Sequence, residues 1–234
     1  MTDARPDLVI YGSPISPFVR KVAGVCIIKG VDYEIEPINV FAPPAWFADV
    51  SPMKRIPVLR DRSVAEEGVA GTIADSSAIC AFIDKKHPAP EVYPEDPMAL
   101  GQAIFIEEYA DTALAMAGGL GIFRPIFFAI SKGEAPGLEK ARAAWAEQLP
   151  PVFDVLEARL DGRAFFAGDV LSIADITVAC VLMQITLVAE MPLARWPGLA
   201  AHFAAMQALP AIAEPYAAAE KLVRKALPTP FDLT

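Results

Sequence analysis

The chain has 234 residues, 54% of them hydrophobic and 21% charged, with a formal net charge of -9. It is long enough for two domains with a cleft between them, and too apolar for a disordered chain. No run of Lys or Arg exceeds two residues, so the basic footprint of a nucleic-acid binder is missing. The uncharged stretch Ile176 to Ala189 has 14 residues and includes Thr177, Gln184 and Thr186, too short and too polar to cross a bilayer.

The N-terminus, MTDARPDLVIYG, carries neither a basic segment followed by a long apolar one nor a small-residue cleavage site, and a cytoplasmic protein is expected. Cys26, Cys80 and Cys180 lie far apart without a C-x-x-C pair, and the two histidines offer no ligand cluster. Neither a disulfide framework nor a metal site is expected.

In chain order, Asp7 to Gly12 is a short apolar run closed by turn residues, a first strand. Ser13 to Pro17 is a loop with two prolines, and Phe18 to Lys29 an amphipathic helix that Gly30 ends as a C-cap. Tyr33 to Asn39 alternates as a second strand. A Pro-rich aromatic loop, Phe41 to Trp46, leads through a short helical piece to a third strand at Ile56 to Leu59. A polar connection, Arg60 to Gly71, precedes a strand at Thr72 to Ala74 and a helix from Ser76 to Lys86.

The segment 87–97, HPAPEVYPEDP, holds four prolines in eleven residues and suits a linker. The order is β-α-β-α-β-β-α over residues 1–86, a linker, and an all-helical part over 98–234. Breaks in the helical part are expected at Gly118-Gly119, Gly133 to Gly137, Pro150-Pro151, Gly162, Gly168, Pro197 and Pro210. Within it, Ser172 and Asp175 stand in capping-box spacing, with Leu171 and Ile176 placed as a hydrophobic staple.

Three pieces could carry chemistry. Ser16 stands where a strand ends and a helix begins, where helix N-H groups favour an anion. Its hydroxyl can cap the helix and can also donate a hydrogen bond to a bound thiolate. Pro57 opens a strand directly after Ile56. A cis Ile56-Pro57 bond would turn the Ile56 backbone outward to pair with an extended peptide ligand, and a trans bond at an edge strand is the plainer alternative. Asp75 and Ser76 stand at a strand-to-helix junction, where Ser76 can serve a carboxylate and Asp75 an ammonium group, or both can simply cap the helix.

These pieces, in this order and with this element pattern, resemble the glutathione transferase superfamily over nearly the whole chain. The most specific parts are SPFVRKV (16–22), RIPVL (55–59), ADSSAI (74–79) and FAGDVLSIADITVA (166–179). The resemblance implies a thioredoxin-like N-terminal domain followed by an all-helical C-terminal domain, and a serine-type transferase with glutathione as co-substrate. It implies that Ser16 activates the glutathione sulfur, Ile56 binds the cysteinyl part through its backbone, and Pro57 is the cis-proline of that fold. Arg55 would meet the glycyl carboxylate, and Asp75 with Ser76 would clamp the γ-glutamyl end. Ser172 and Asp175 would be structural.

The sequence departs from that pattern at several points. The loop Phe41 to Val50 has no Lys or Arg, so Lys54 or Arg55 must supply any basic contact. Asp75 is shorter than the Glu common in the family, and Ser13 is a second candidate donor. By analogy the acceptor pocket would be lined by Ile15, Phe41, Tyr109, Met116 and Phe123. Cys26 lies inside its helix and lacks the position for thiolate stabilisation.

The function implied is attack of glutathione thiolate on a small hydrophobic electrophile by a homodimer, each domain facing the other domain of the partner subunit. Alternatives are a glutathione-dependent peroxidase, isomerase, dehalogenase or ether-cleaving enzyme on the same fold, and a non-catalytic glutathione-binding or interaction module.

Overall fold

The computed structural model describes residues 5–234. The first part is a four-stranded sheet in the order β2-β1-β3-β4, built from β1 (Leu8–Gly12), β2 (Tyr33–Pro37), β3 (Val58–Asp61) and β4 (Thr72–Ala74). β1 runs parallel to β2 and antiparallel to β3, and β3 is antiparallel to β4. Helices α1 (Pro17–Lys29), α2 (Phe47–Val50) and α3 (Ser76–Lys86) connect them, which gives the thioredoxin-like order expected.

The apolar run of β1 is buried along its whole length, as a central strand covered on both faces requires. Leu8 and Ile10 face the main core, whereas Val9 and Tyr11 face a smaller cluster with Ile38, Phe47, Val50 and Val58. Gly30 ends α1 at a φ of 64°, a left-handed C-cap that glycine adopts without a Cβ penalty.

The third strand lies two residues later than its apolar run suggested. Pro57 has no N-H for the ladder, so pairing starts at Val58 and continues through Arg60 and Asp61. Both are buried because their charges are met locally. Arg60 donates to the Tyr11 hydroxyl and to the carbonyls of Ala65, Gly68 and Ala70, so the polar connection of 62–71 wraps its guanidinium. Asp61 accepts from Lys86 and Ser63.

No helix or strand occurs between Lys86 and the helical part, which begins with α4 (Pro97–Tyr109). A π-helical segment, Ala110–Phe128, and α5 (Ala129–Ser131) continue it into one 35-residue helix. Gly118-Gly119 therefore does not break the helix. A Cβ at Gly118 would lie 2.6 Å from Ile185 Cδ1, so the glycine allows close approach of another helix. The same helix is long and apolar enough to cross a membrane by length and composition, and 44% of its most apolar window is buried inside the protein.

α6 (Leu138–Ala143), a short π segment (Ala144–Gln148) and α7 (Leu149–Leu160) follow, with Pro150-Pro151 tolerated in the first turn of α7. α8 (Ile173–Thr186) is the buried centre of this part, followed by α9 (Pro197–Gln207) and α10 (Pro210–Val223). α8 starts with the expected capping box. Asp175 accepts from the Ser172 N-H at 2.8 Å and its hydroxyl at 2.9 Å, from the Phe166 N-H and from the His202 ring, both at 3.0 Å.

The two parts share one core, because α1 packs on both α8 and α10. At Gly24 a Cβ would come within 2.8 Å of the Ala211 carbonyl oxygen, which marks how closely α1 and α10 approach.

Candidate functional site

The strand registers bring the three sequence-chosen pieces to one edge of the sheet. Tyr11 pairs with Val58, and Val58 pairs with Ala74. The residues just beyond these positions, the loop Ser13 to Ser16, the Ile56-Pro57 pair and the Asp75-Ser76 pair, therefore lie side by side. A Cβ on Gly12 would stand 3.6 Å from Ile56 Cβ and 2.5 Å from Val19 Cγ2, so only glycine fits where β1, α1 and Ile56 meet. Both α1 and α3 start at this edge and turn the positive ends of their dipoles toward it.

Ser16 is the N-cap of α1 and is half-buried. Its Oγ accepts from the Val19 N-H at 3.4 Å, a long contact that leaves the hydroxyl proton free. Ser13 Oγ accepts from the Ile15 N-H, also at 3.4 Å. The Ile56-Pro57 bond is cis. Among the described residues, neither the N-H nor the C=O of Ile56 joins a hydrogen bond.

Asp75 has a φ of 84° and is exposed, and its Oδ1 accepts from the Ser77 and Ala78 N-H groups. One carboxylate oxygen thus caps α3 and the other is unengaged. Ser76 is buried beside it. Lys54 and Arg55 are exposed. The Arg55 backbone is pinned by Ser51, whose hydroxyl accepts from the Arg55 N-H and donates to the Arg55 carbonyl. Ser51, unremarked in the sequence, is what shapes this turn.

The five residues chosen for an acceptor pocket sit in different environments. Phe123 is 3% exposed and stacked on Phe127 in the core, Met116 is 62% exposed, and Tyr109 stacks on Phe105. Helical spacing alone does not separate a lining residue from a packed one. Ile15 packs against the main core, and Phe41 reaches the helical part through an edge-to-face contact with Phe128 at 5.5 Å. A cavity of about 130 Å³ lies elsewhere, behind α1, bounded by Pro14, Arg20, Tyr33, Ile35, Glu214 and Pro215.

Beneath the site, buried charges missed in the sequence join the two parts. Lys21 Nζ lies 2.7 Å from Glu107 and 2.8 Å from Asp111, and donates to the Ser77 hydroxyl at 3.1 Å. Tyr93 donates to Glu107 at 2.9 Å. Burial alone would lower the Lys21 pKa, but Asp111 and Glu107 outweigh it and hold the ammonium above its ordinary range. Adjacent cations on an otherwise apolar helix, Arg20-Lys21, were the one sequence signal for this network. The cysteines stand outside the chemistry, since burial pushes the Cys26 thiol up to about 12 and that of Cys180 up to about 11.

Residues 10–91 match the family model "Glutathione S-transferase, N-terminal domain" and residues 139–205 match "Glutathione S-transferase, C-terminal domain". Glutathione S-transferase 3 of Zea mays is 30% identical over 176 residues, covering 72% of this chain and 73% of that protein. Glutathione S-transferase omega-1 of Mus musculus is 25% identical over 168 residues, 71% of this chain; the match spans only 62% of the mouse protein's length. A crystal structure of a glutathione S-transferase from Rhodospirillum rubrum F11 superposes with a TM-score of 0.78 at 24% identity, covering 89% of this chain and 91% of that one.

The fold and its sheet-edge site thus define a thioredoxin-like domain joined to a helical one. The chain belongs to the glutathione S-transferase family.

Proposed function

We propose that this chain is a glutathione transferase that holds the glutathione sulfur beside the Ser16 hydroxyl and directs the thiolate onto a small hydrophobic electrophile. The observation that carries this is the register Tyr11-Val58-Ala74, which aligns Ser16, Ile56 and Asp75-Ser76 at one sheet edge. The unpaired Ile56 N-H and C=O suit the cysteinyl backbone of an extended peptide. The free oxygen of Asp75 suits the γ-glutamyl ammonium, and Ser76 the carboxylate beside it. Arg55 or Lys54 suits the glycyl carboxylate.

In the reaction the thiol proton leaves to solvent and the Ser16 hydroxyl donates to the sulfur anion. The sulfur lone pair then forms a carbon-sulfur bond while the leaving group departs with its bonding electrons. A hydrogen bond to a charged group is worth about 2 kcal/mol, or roughly 1.5 pKa units on the bound thiol. Most of the remaining acceleration comes from positioning.

Ultraviolet thiolate absorbance, titrated against pH on wild type and Ser16→Ala, tests the reading without knowing the electrophile. A depressed thiol pKa that rises by about 1.5 units in the variant supports it. Binding with no depression favours a non-catalytic module, and no binding removes the glutathione assignment.

The division into domains at 87–97 and a cytoplasmic homodimer belong to the same proposal. Exposed apolar residues on both parts, Val64 and Val69 on one and Met98 and Phe105 on the other, support an interface between opposite domains of two subunits. Sedimentation equilibrium returning only the 25.1 kDa monomer would argue against it.

A further inference from the structure

Arg20 is a guanidinium 1% exposed, one helical turn after Ser16, with no acidic partner among the described residues. Its Nη1 donates to the carbonyls of Pro14 at 3.1 Å and Ile15 at 2.8 Å. Its Nη2 donates to the Cys180 carbonyl at 2.9 Å and the Gln184 side-chain oxygen at 3.2 Å, both on α8. Nε is buried without a partner. Burial pulls this group down to about 10, which still leaves it cationic at neutral pH.

Burying a cation against neutral acceptors alone is an expensive way to join two helices, and an apolar side chain of similar volume would pack α1 on α8 at less cost. The bonds themselves suggest what the cation does. Pro14 and Pro17 have no N-H, so the loop before α1 has few means of fixing itself; its own ties are the Ser16 N-H to the Ser13 carbonyl at 2.9 Å and the long Ile15 contact to Ser13 Oγ. The two peptide units directly before Ser16 instead give their carbonyl oxygens to Arg20. The same guanidinium grips α8 with its other nitrogen, in the planar fork geometry that one lysine nitrogen does not reproduce.

We propose that Arg20 is a positioning residue: by holding the Pro14 and Ile15 carbonyls against α8 it fixes the direction in which Ser16 presents its hydroxyl, so that the helical part sets the geometry of the thiol-binding edge. This rests on the role of Ser16 given above, and the experiment separates the two.

Glutathione thiolate absorbance is titrated on wild type, Ser16→Ala, Arg20→Lys and Gln184→Leu, each first shown by circular dichroism to be folded at the assay temperature. The expected result is a bound-thiol pKa about one unit higher in Arg20→Lys, roughly a tenfold loss of thiolate at neutral pH, with a smaller rise in Gln184→Leu and glutathione affinity held within about threefold. A merely structural Arg20 would lower the melting temperature and leave the thiol pKa where it was. If Arg20→Lys does not fold, Gln184→Leu decides alone, a rise supporting the proposal and an unchanged value overturning it. A depressed pKa in wild type that Ser16→Ala raises but Arg20→Lys and Gln184→Leu leave unchanged overturns the positioning role and spares Ser16. No depression in wild type removes both.

Discussion

Two serines start the two central helices of this protein, and they are used in opposite ways. Ser172, at the head of α8, is 1% exposed, and both its N-H and its hydroxyl donate to Asp175, which also takes the Phe166 N-H and the His202 ring. Ser16, at the head of α1, has one long contact from Val19 and an otherwise unengaged hydroxyl. The difference follows from where each helix is anchored. α8 is fixed at its first turn by a saturated cap, whereas α1 is fixed one turn further in, by Arg20 and Lys21. A capping residue relieved of structural duty is one that can turn its hydroxyl to a ligand.

The largest break in this comparison is expected at Asp175. Asp175→Ala leaves two buried N-H donors, a hydroxyl and an imidazole without their acceptor. The loss should be about 4 to 5 kcal/mol of unfolding free energy in urea titration, where a loss under about 1 would mean that the cap is not what fixes α8.

Next comes the anchor of α1. Lys21→Met leaves Glu107 and Asp111 buried without a cation, and should cost about 3 to 4 kcal/mol at neutral pH. Burial already raises the Asp111 carboxyl above its ordinary 3.8. A carboxyl raised in the folded state favours folding most while protonated, and that favour is lost as pH climbs through its folded value. The deficit of Lys21→Met should therefore shrink toward pH 4 and grow toward neutrality. In wild type the sign is set by the ammonium: Lys21 is held above 10.5, so its contribution is complete below that pH and is lost as pH rises through the higher folded value. Denaturation midpoints measured across both ranges check this, and a deficit of Lys21→Met that does not vary with pH would detach the two carboxylates from Lys21.

Much of this was legible because it is local. Ser16, Gly30, the Asp75 cap and the Ser172-Asp175 box are read from a few adjacent residues, and the helix at Ser76 to Lys86 falls where its spacing put it. What escaped depends on partners far along the chain. Gly118 reads as a helix breaker until Ile185 is seen lying against it. Arg60 reads as loop until the carbonyls of Ala65, Gly68 and Ala70 close round it. Arg20 and Lys21 read as part of an amphipathic helix, but apart from the Pro14 and Ile15 carbonyls their side-chain partners lie 56 to 164 positions away. Phe123 and Met116 share a helix and a hydrophobic character, and only packing places one in the core and the other at the surface.

The smallest effect on stability is expected at Ser16 itself, and that smallness sharpens the comparison. Removing a capping hydroxyl commonly costs about 1 kcal/mol, but the Ser16 contact is long and the Ser16 carbonyl still accepts from the Arg20 N-H at 3.1 Å. Ser16→Ala should therefore lose no more than about 0.5 kcal/mol in the same urea titration, while Ser172→Ala, which strips a buried hydroxyl from Asp175, should lose about 1 to 2. Equal losses at the two serines would mean that Ser16 is held by its helix as firmly as Ser172 is. A serine spent on capping in that way would have no hydroxyl to spare for a thiolate.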